Sequence, residues 1–378
     1  MNIYQQLGVE PLINAAGSLT ALGGELMHPE VVEAIVAASH DFVDINELHK
    51  AAGQRIAEWI GVEAAHVCGS ASAGITLMAA ACMAGADQTR IAQLPDTSDM
   101  KNKFVVHRAH RNAFEHAIHI AGGQFHNIDA DPHALVETLR RDDIAAVYYT
   151  FAWFCVGEVL PLTQTAAIAY DFGIPMIVDA AQVSPVQGFS QYIDAGADLI
   201  VFSGGKSLHG PQTSGVILGR KDLVEACTAN DSPNIKCIGR GMKVSKESII
   251  GLVKAVELYL KKDHAAELAL LEQRAAFIID ALSSVAEIEA RRIVPLNAGY
   301  PIPYVKVNWN EEKLGVTYQQ LAHTLREGQP RIAVRILEAN MSGVDAPYIR
   351  ICVHTLKDGE EAIVVRRIKE ILVKKSGE

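Results

Sequence analysis

The sequence predicts an α/β fold built on a mainly parallel sheet, followed by a smaller α/β domain. Three observations carry that expectation. The central region alternates short apolar runs with amphipathic stretches of helical length, the pattern of strands buried between two helical layers. After Arg240 the pattern changes to a long stretch rich in Ala, Leu, Glu and Lys. The chain has 378 residues, 49% of them hydrophobic and only 21% charged, enough to fill one large core and a second, smaller one.

In order along the chain, residues 1–50 are expected to pack across both domains. Residues 74–84 are the most apolar segment, far shorter than a bilayer requires. Residues 145–150 (AAVYYT), 175–179 (PMIVD), 199–203 (LIVFS) and 215–218 (GVIL) read as buried strands. Residues 162–172 supply the helix that a parallel crossover needs between the first two. Residues 246–283 read as long helix broken near Asp263. Residues 304–308 and 348–353 read as strands, and 359–374 as a closing amphipathic helix. The expected division is therefore 51–250 as the large domain and 251–378 as the small one.

The net charge of −10 argues against a nucleic-acid partner, which wants clustered basic residues. The start, MNIYQQLGVEPLINAAG, has no basic segment leading into an apolar run, so neither a secretory signal nor a membrane anchor is expected. The six cysteines are scattered without a CxxC pair and suit reduced thiols in a cytoplasmic protein.

Asp179 and Lys206 carry the chemistry. Asp179 ends an apolar strand in IVDAAQ, and ligands of open α/β sheets sit at the C-terminal ends of parallel strands. A strand-end Asp capping a helix is the plain alternative. Lys206 follows the next strand in FSGGKSLHGP, beside the Ser203 hydroxyl, with Gly204 and Gly205 expected to leave room for a bulky ring. A lysine amine and an aldehyde form a Schiff base. A carboxylate such as Asp179 keeps a pyridine nitrogen protonated. The pair therefore points to pyridoxal 5′-phosphate (PLP), with Gln182 placed to donate to the ring 3′-oxygen. Small residues 69–73 (GSASA) precede the run 74–84, and a helix starting there would offer free N–H groups to a phosphate.

The motifs LINAAGSLTALGGELM, HRNAFEHA (110–117), VDAAQ (178–182), FSGGKSLHGPQTSGVILGR (202–220) and IGRGMKVSKE (238–247) resemble fold-type-I PLP enzymes. The likeness is to the branch containing selenocysteine synthase (seryl-tRNA selenium transferase), and within it to short relatives that include D-glucosaminate-6-phosphate ammonia-lyase. The closing segment IRICVHTLKDGEEA resembles that of class V aminotransferases and cysteine desulfurases. The resemblance covers nearly the whole chain and implies the PLP-dependent transferase (aminotransferase) fold. It implies Lys206 as the Schiff-base lysine and Asp179 as the partner of the pyridine nitrogen. Gln182 would contact the 3′-oxygen, Ser70, Ala71 and Ser203 would surround the phosphate, and His110 would stack on the ring, with His107 as its rival. Arg350 would bind the substrate carboxylate. It further implies a homodimer or higher homo-oligomer in which Arg240 and Lys243 reach the neighbouring subunit's site. Gly205 stands where class V enzymes usually carry histidine, which suits the selenocysteine-synthase-like branch.

The expected reaction is elimination from a polar β-hydroxy amino acid, such as D-glucosaminate or its 6-phosphate, giving a 2-oxo acid and ammonia. Racemisation or aldol cleavage uses the same Lys206–Asp179 pair and is the alternative. A selenium transferase is disfavoured by the acidic chain, and an aminotransferase by the pattern of resemblance. A persulfide-forming desulfurase is disfavoured because residues 300–350 hold no cysteine. The histidines at 107, 110, 116 and 119 suggest a metal only weakly, and none is expected. The partner is a small amino-acid substrate.

Overall fold

The computed structural model describes residues 2–185, 188–294, 302–338, 344 and 346–374. Those from 26 to 262 form one compact unit, and those up to 25 and from 263 onward form the other. The expected first segment, 1–50, is thus divided at 25/26, and the second boundary falls at 262/263 rather than 250/251.

The larger unit is a seven-stranded sheet. Its strands are β1 (Ala64–Cys68), β2 (Lys103–His107), β3 (Gln124–Ile128), β4 (Ile144–Thr150), β5 (Met176–Asp179), β6 (Leu199–Ser203) and β7 (Gly215–Gly219). Their spatial order is β1-β7-β6-β5-β4-β2-β3. Only β7 runs against the others, so the expectation of a mainly parallel sheet holds. Every residue of β4 is buried, because helices cover both faces. On one face Val147, Val178, Ile200 and Val216 pack with Ile56 and Leu252. On the other, Tyr148, Ile177, Val201 and Ile217 pack against Ile75, Leu77 and Met78.

Those three belong to the helix Ala71–Ala84, buried on nearly every side. Its Gly74 is explained by packing: a Cβ there would stand 2.6 Å from Val201 Cγ2. The helix Pro29–Ser39 lies against Lys246–Lys261 in the same unit.

The long helical stretch breaks where the sequence indicates. Lys262 leaves the helical conformation, and Asp263 caps the next helix, His264–Ser283, by accepting from the Ala266 N–H. That helix and Glu360–Lys374 cover one face of the second unit's antiparallel sheet. Its strands are β8 (Ile288–Ile293), β9 (Tyr304–Trp309), β10 (Arg335–Leu337) and β11 (Tyr348–Cys352), in the order β10-β11-β9-β8. Strand β9 alternates half-buried and buried residues, as a strand with one covered face should. Among the described residues no helix is long and apolar enough to cross a membrane. All six cysteines are free, and five are buried.

Candidate active site

The register lines up several strand ends along one edge of the large sheet. Thr150 of β4 pairs with Asp179 of β5. Ser203 of β6 and Cys68 of β1 both pair with Gly215, the first residue of β7. This is the C-terminal edge of the parallel strands, where such sheets bind ligands.

Asp179 is buried there. Its Oδ1 accepts from the Ala181 N–H at 2.9 Å and its Oδ2 from the Tyr148 hydroxyl at 3.3 Å. Burial raises its pKa, opposed by the Ala181 N–H, by Lys206 and by Tyr148. Lys206 shows the complementary shift. Burial pushes its amine down to about 8, with Asp179 acting in the opposite sense. The two groups are each other's counter-charge at a site that disfavours both charges.

Lys206 Nζ attacks an aldehyde only when neutral, and the neutral fraction grows as pH rises through the folded pKa. The rate at which the apoprotein takes up PLP should therefore climb with pH and level off above about 8. Stopped-flow absorbance across the range checks this. A rise still continuing near the ordinary lysine value of 10.5 would mean that the amine is not tuned.

Gly204 and Gly205 do not leave the expected space for a ring. A Cβ on Gly204 would stand 2.0 Å from Ser214 Oγ, and one on Gly205 would stand 2.5 Å from Gln212 Cα. The glycines let the returning segment 210–214 close on the Lys206 turn.

The start of helix Ala71–Ala84 adjoins this edge. Ser70 is its N-cap, accepting from the Ala73 N–H at 3.0 Å, and Ala71 is the first helical residue. A cavity of about 310 Å³ opens there, lined by Ser70, Ser72, Ala73, Thr213 and Lys243 among others. Free N–H groups, the helix dipole and a cation converge on it. Two contacts close the walls. A Cβ on Gly69 would stand 2.3 Å from Met242 O, and one on Gly215 would stand 2.7 Å from the carbonyl carbon of Ser70. Gly215→Ala should therefore cost about 1–3 kcal/mol, read as a lower urea midpoint, and should weaken PLP retention. Lys243 thus lines the helix N-terminus itself, whereas Arg240, in the same turn, is exposed and does not line the cavity.

His110 is buried beside the end of β4. Its Nδ1 accepts from the Thr150 N–H at 3.4 Å, and its ring meets the edge of Tyr149 at 4.3 Å. Burial, reinforced by His107, holds its pKa down to about 3, so the ring is neutral. His107 instead accepts from the Leu160 N–H through Nε2. Of the two, His110 is the one tied to Thr150, the register partner of Asp179. Gln182 lies in the turn after Asp179, and Ser203 is the last residue of β6; both are half-buried. The rings of His116 and His119 are 6.2 Å apart, with His119 Nδ1 at 2.9 Å from Gly123 O. Among the described residues no group of three or more His, Cys, Asp or Glu could hold a metal.

In the other unit, Arg350 is buried on β11 with its guanidinium 4.8 Å from the centre of the Tyr304 ring. Cys352 is buried with its thiol pushed up to about 11, unlike an activated nucleophile.

Sequence reasoning missed Tyr148, which donates to Asp179, and Thr213 and Met242, which line the cavity at the helix N-terminus. The signal for Tyr148 was present: a phenol inside a fully apolar strand needs a hydrogen-bond partner.

The residues fit PLP. Asp179 is a buried carboxylate that a pyridinium would offset, Lys206 is an amine whose pKa burial lowers toward the neutral form an aldehyde needs, and the helix N-terminus opens on a cavity where its N–H groups would suit an anion. The comparisons agree. Residues 160–299 match the family model SelA, L-seryl-tRNA selenium transferase. The chain is 32% identical over 378 residues to D-glucosaminate-6-phosphate ammonia lyase of Salmonella typhimurium strain 14028s, covering 98% of each. A solved structure of D-glucosaminate-6-phosphate ammonia-lyase superposes with a TM-score of 0.83 at 31% identity, over 100% of this chain and 99% of that one. The chain is also 33% identical over 384 residues to 5′-C-glycyluridine monooxygenase-decarboxylase of a Streptomyces species, covering 99% of this chain and 93% of the relative. A serine palmitoyltransferase solved with PLP shares the fold, at a TM-score of 0.60 and 14% identity over 96% and 88% of the two chains. The protein is a PLP-dependent enzyme of fold type I, and it belongs to the selenium-transferase-like family that contains D-glucosaminate-6-phosphate ammonia lyase.

Proposed function

We propose that the enzyme is an ammonia-lyase acting on a polar 2-amino-3-hydroxy acid, with D-glucosaminate 6-phosphate as the concrete candidate. The observation that carries this is the end-to-end relationship, in sequence and structure, to the lyase of that name. When bound, PLP supplies an electron sink conjugated to the substrate Cα. The chain's own groups do the rest. Asp179 would hold the pyridine nitrogen, with its carboxylate oriented by the Tyr148 hydroxyl. Gln182 would donate to the 3′-oxygen, His110 would stack on the ring, and Ser70, Ala71 and Ser203 would surround the phosphate. Arg350 takes the substrate carboxylate.

Lys206 Nζ would remove the Cα proton; an amine lowered to about 8 by burial is a suitable base near neutral pH. The β-hydroxyl leaves with a proton as water. The resulting enamine moves a proton from its nitrogen to Cβ, and water then adds at Cα as ammonia departs, so one substrate gives one 2-oxo acid and one ammonia. Lys243 is assigned to an anionic contact at the helix N-terminus of its own chain, and Arg240 to one reaching a neighbouring subunit in a homodimer or larger homo-oligomer. Free, mostly buried thiols suit a cytoplasmic location.

The relationship to the monooxygenase-decarboxylase is as extensive as that to the lyase, and it favours oxygen-dependent decarboxylation as a second candidate. One assay separates the readings. Incubation with D-glucosaminate 6-phosphate should release ammonia and a 2-oxo acid in equal amounts without oxygen uptake. Oxygen consumption with carbon dioxide release from 5′-C-glycyluridine, and no ammonia from the sugar acid, would favour the second. Inversion at Cα without ammonia would mark a racemase.

A further inference from the structure

One residue of the Lys206 turn stands in a conformation that its side chain disfavours. His209 has a φ of 51°, and it is the one non-glycine residue with positive φ among those described. In that left-handed region the Cβ crowds the carbonyl that follows, and glycine or asparagine is the usual occupant. Strain of this kind persists only where the surroundings fix it.

The surroundings here are hydrogen bonds. The His209 N–H donates to Lys206 O at 2.8 Å, and the Gly210 N–H to Gly204 O at 2.9 Å. These close the turn on Lys206. The His209 ring reaches out of it, with Nδ1 3.0 Å from Leu26 O. A carbonyl only accepts, so Nδ1 carries the proton. The His28 N–H donates back to His209 O at 3.4 Å, and the two imidazoles lie 4.8 Å apart. Burial does not hold the segment that His209 meets, because Leu26 is 65% exposed and Met27 39% exposed. The chain enters the larger unit at Leu26, and His28 is the N-cap of the helix Pro29–Ser39. His209 therefore ties the Lys206 turn to the chain's entry into that unit. A second tie runs to the loop that follows Asp179, where Ser207 Oγ donates to Val183 O at 3.3 Å. Lys206 stands between the two.

We propose that His209 is a positioning residue for Lys206: its Nδ1–H, held out by the left-handed backbone, anchors the turn on Leu26 and keeps the Lys206 amine in its buried place beside Asp179. A glycine would adopt the turn more readily but would leave Leu26 O without this donor. The inference rests on Lys206 as the cofactor lysine and is independent of which amino acid the enzyme acts on.

The test compares full-length wild type, His209→Gly and His209→Asn. Each is unfolded in urea as the holoenzyme, and each is followed for PLP uptake against pH after the cofactor has been removed. Glycine keeps the backbone and loses the donor, whereas asparagine tolerates the backbone and offers a shorter N–H donor. Burial lowers the Lys206 amine to about 8, with Asp179 opposing it, from an ordinary 10.5. A turn that loosens and admits water therefore moves the amine upward. His209→Gly should hold the wild-type urea midpoint or exceed it. It should take up PLP about tenfold more slowly near neutral pH, the worth of one positioning hydrogen bond, and level off at a higher pH. His209→Asn should recover most of the rate and return the profile toward wild type. A glycine variant with wild-type uptake and profile overturns the proposal, and the left-handed residue is then a requirement of the turn alone. A glycine variant that loses its urea midpoint along with uptake overturns it too, because His209 then stabilises the fold and not the lysine. An asparagine variant no better than glycine rules out the bond to Leu26 as the link. Borohydride fixation with peptide mapping is scored separately. PLP fixed on another lysine of the wild type sinks both the cofactor assignment and this proposal, whereas PLP fixed on Lys206 with an unmoved profile sinks this one alone.

Discussion

Lys206→Ala is expected to lower turnover by about 10⁴-fold or more while leaving the fold intact. Two proposed roles vanish together: the covalent tether of the cofactor and the base at the substrate Cα. The side chain is half-buried and stands on a turn between β6 and the segment 210–214, so truncation removes a chain end and leaves the sheet untouched. Asp179 and the N-terminus of helix Ala71–Ala84 remain, and PLP should still bind, now reversibly. Borohydride followed by dialysis should leave PLP on the wild type and none on the variant. A variant that retained borohydride-fixed cofactor would place the link on another lysine. A variant that lost both the cofactor and its circular dichroism would make Lys206 structural. Added primary amines separate the two roles further, because a small amine in the vacated space can restore proton transfer but not the tether. Partial recovery of rate with methylamine, without borohydride fixation to protein, is the expected signature.

How much of this was legible in the chain depends on burial. Strands β4 to β7 were readable because both faces are covered, so their sequences are nearly unbroken apolar runs. Strands β1 and β3 lie at the edges of the sheet, and their sequences AAHVC and QFHNI carry polar residues that break the run. Strand β2 is interior, yet Lys103 and His107 bracket its three apolar residues and conceal it. The helix break at Asp263 was readable because capping is local chemistry.

Asp179 and Lys206 stand out in the sequence because each is chemically unusual where it stands, and each is the other's counter-charge in the structure. Gly204 and Gly205 were misjudged because smallness in a sequence does not say what fills the space. Here Ser214 and Gln212 fill it, and they reach it only through a return of the chain that no local pattern encodes. Arg240 and Lys243 looked equivalent as two cations in one motif. Only the approach of Met242 to Gly69 separates them, bringing Lys243 onto the cavity and leaving Arg240 outside.

Asp179→Asn should lower turnover by roughly 10²–10³-fold, the usual cost of removing one preorganised electrostatic partner, and PLP should stay bound. The substitution keeps shape and the acceptor for the Ala181 N–H. It replaces the charged oxygen with an amide that cannot hold a proton on the pyridine nitrogen. A second effect follows from the coupling of the two groups. Asp179 raises the pKa of Lys206 against the larger effect of burial. With that charge gone, the amine of the apoprotein should fall below about 8, and the pH at which PLP uptake levels off should move down. A merely structural aspartate would reduce stability without moving that profile. Tyr148→Phe extends the same logic. Its hydroxyl supports the ionised form of Asp179, so its loss lets burial raise the carboxylate further. Turnover should then fall by a smaller factor, and the acidic limb of the rate profile should shift to higher pH. If Tyr148→Phe left that limb in place, the hydroxyl would be satisfying the carboxylate's geometry alone, and the ionisation of Asp179 would rest on the Ala181 N–H and the cation it faces.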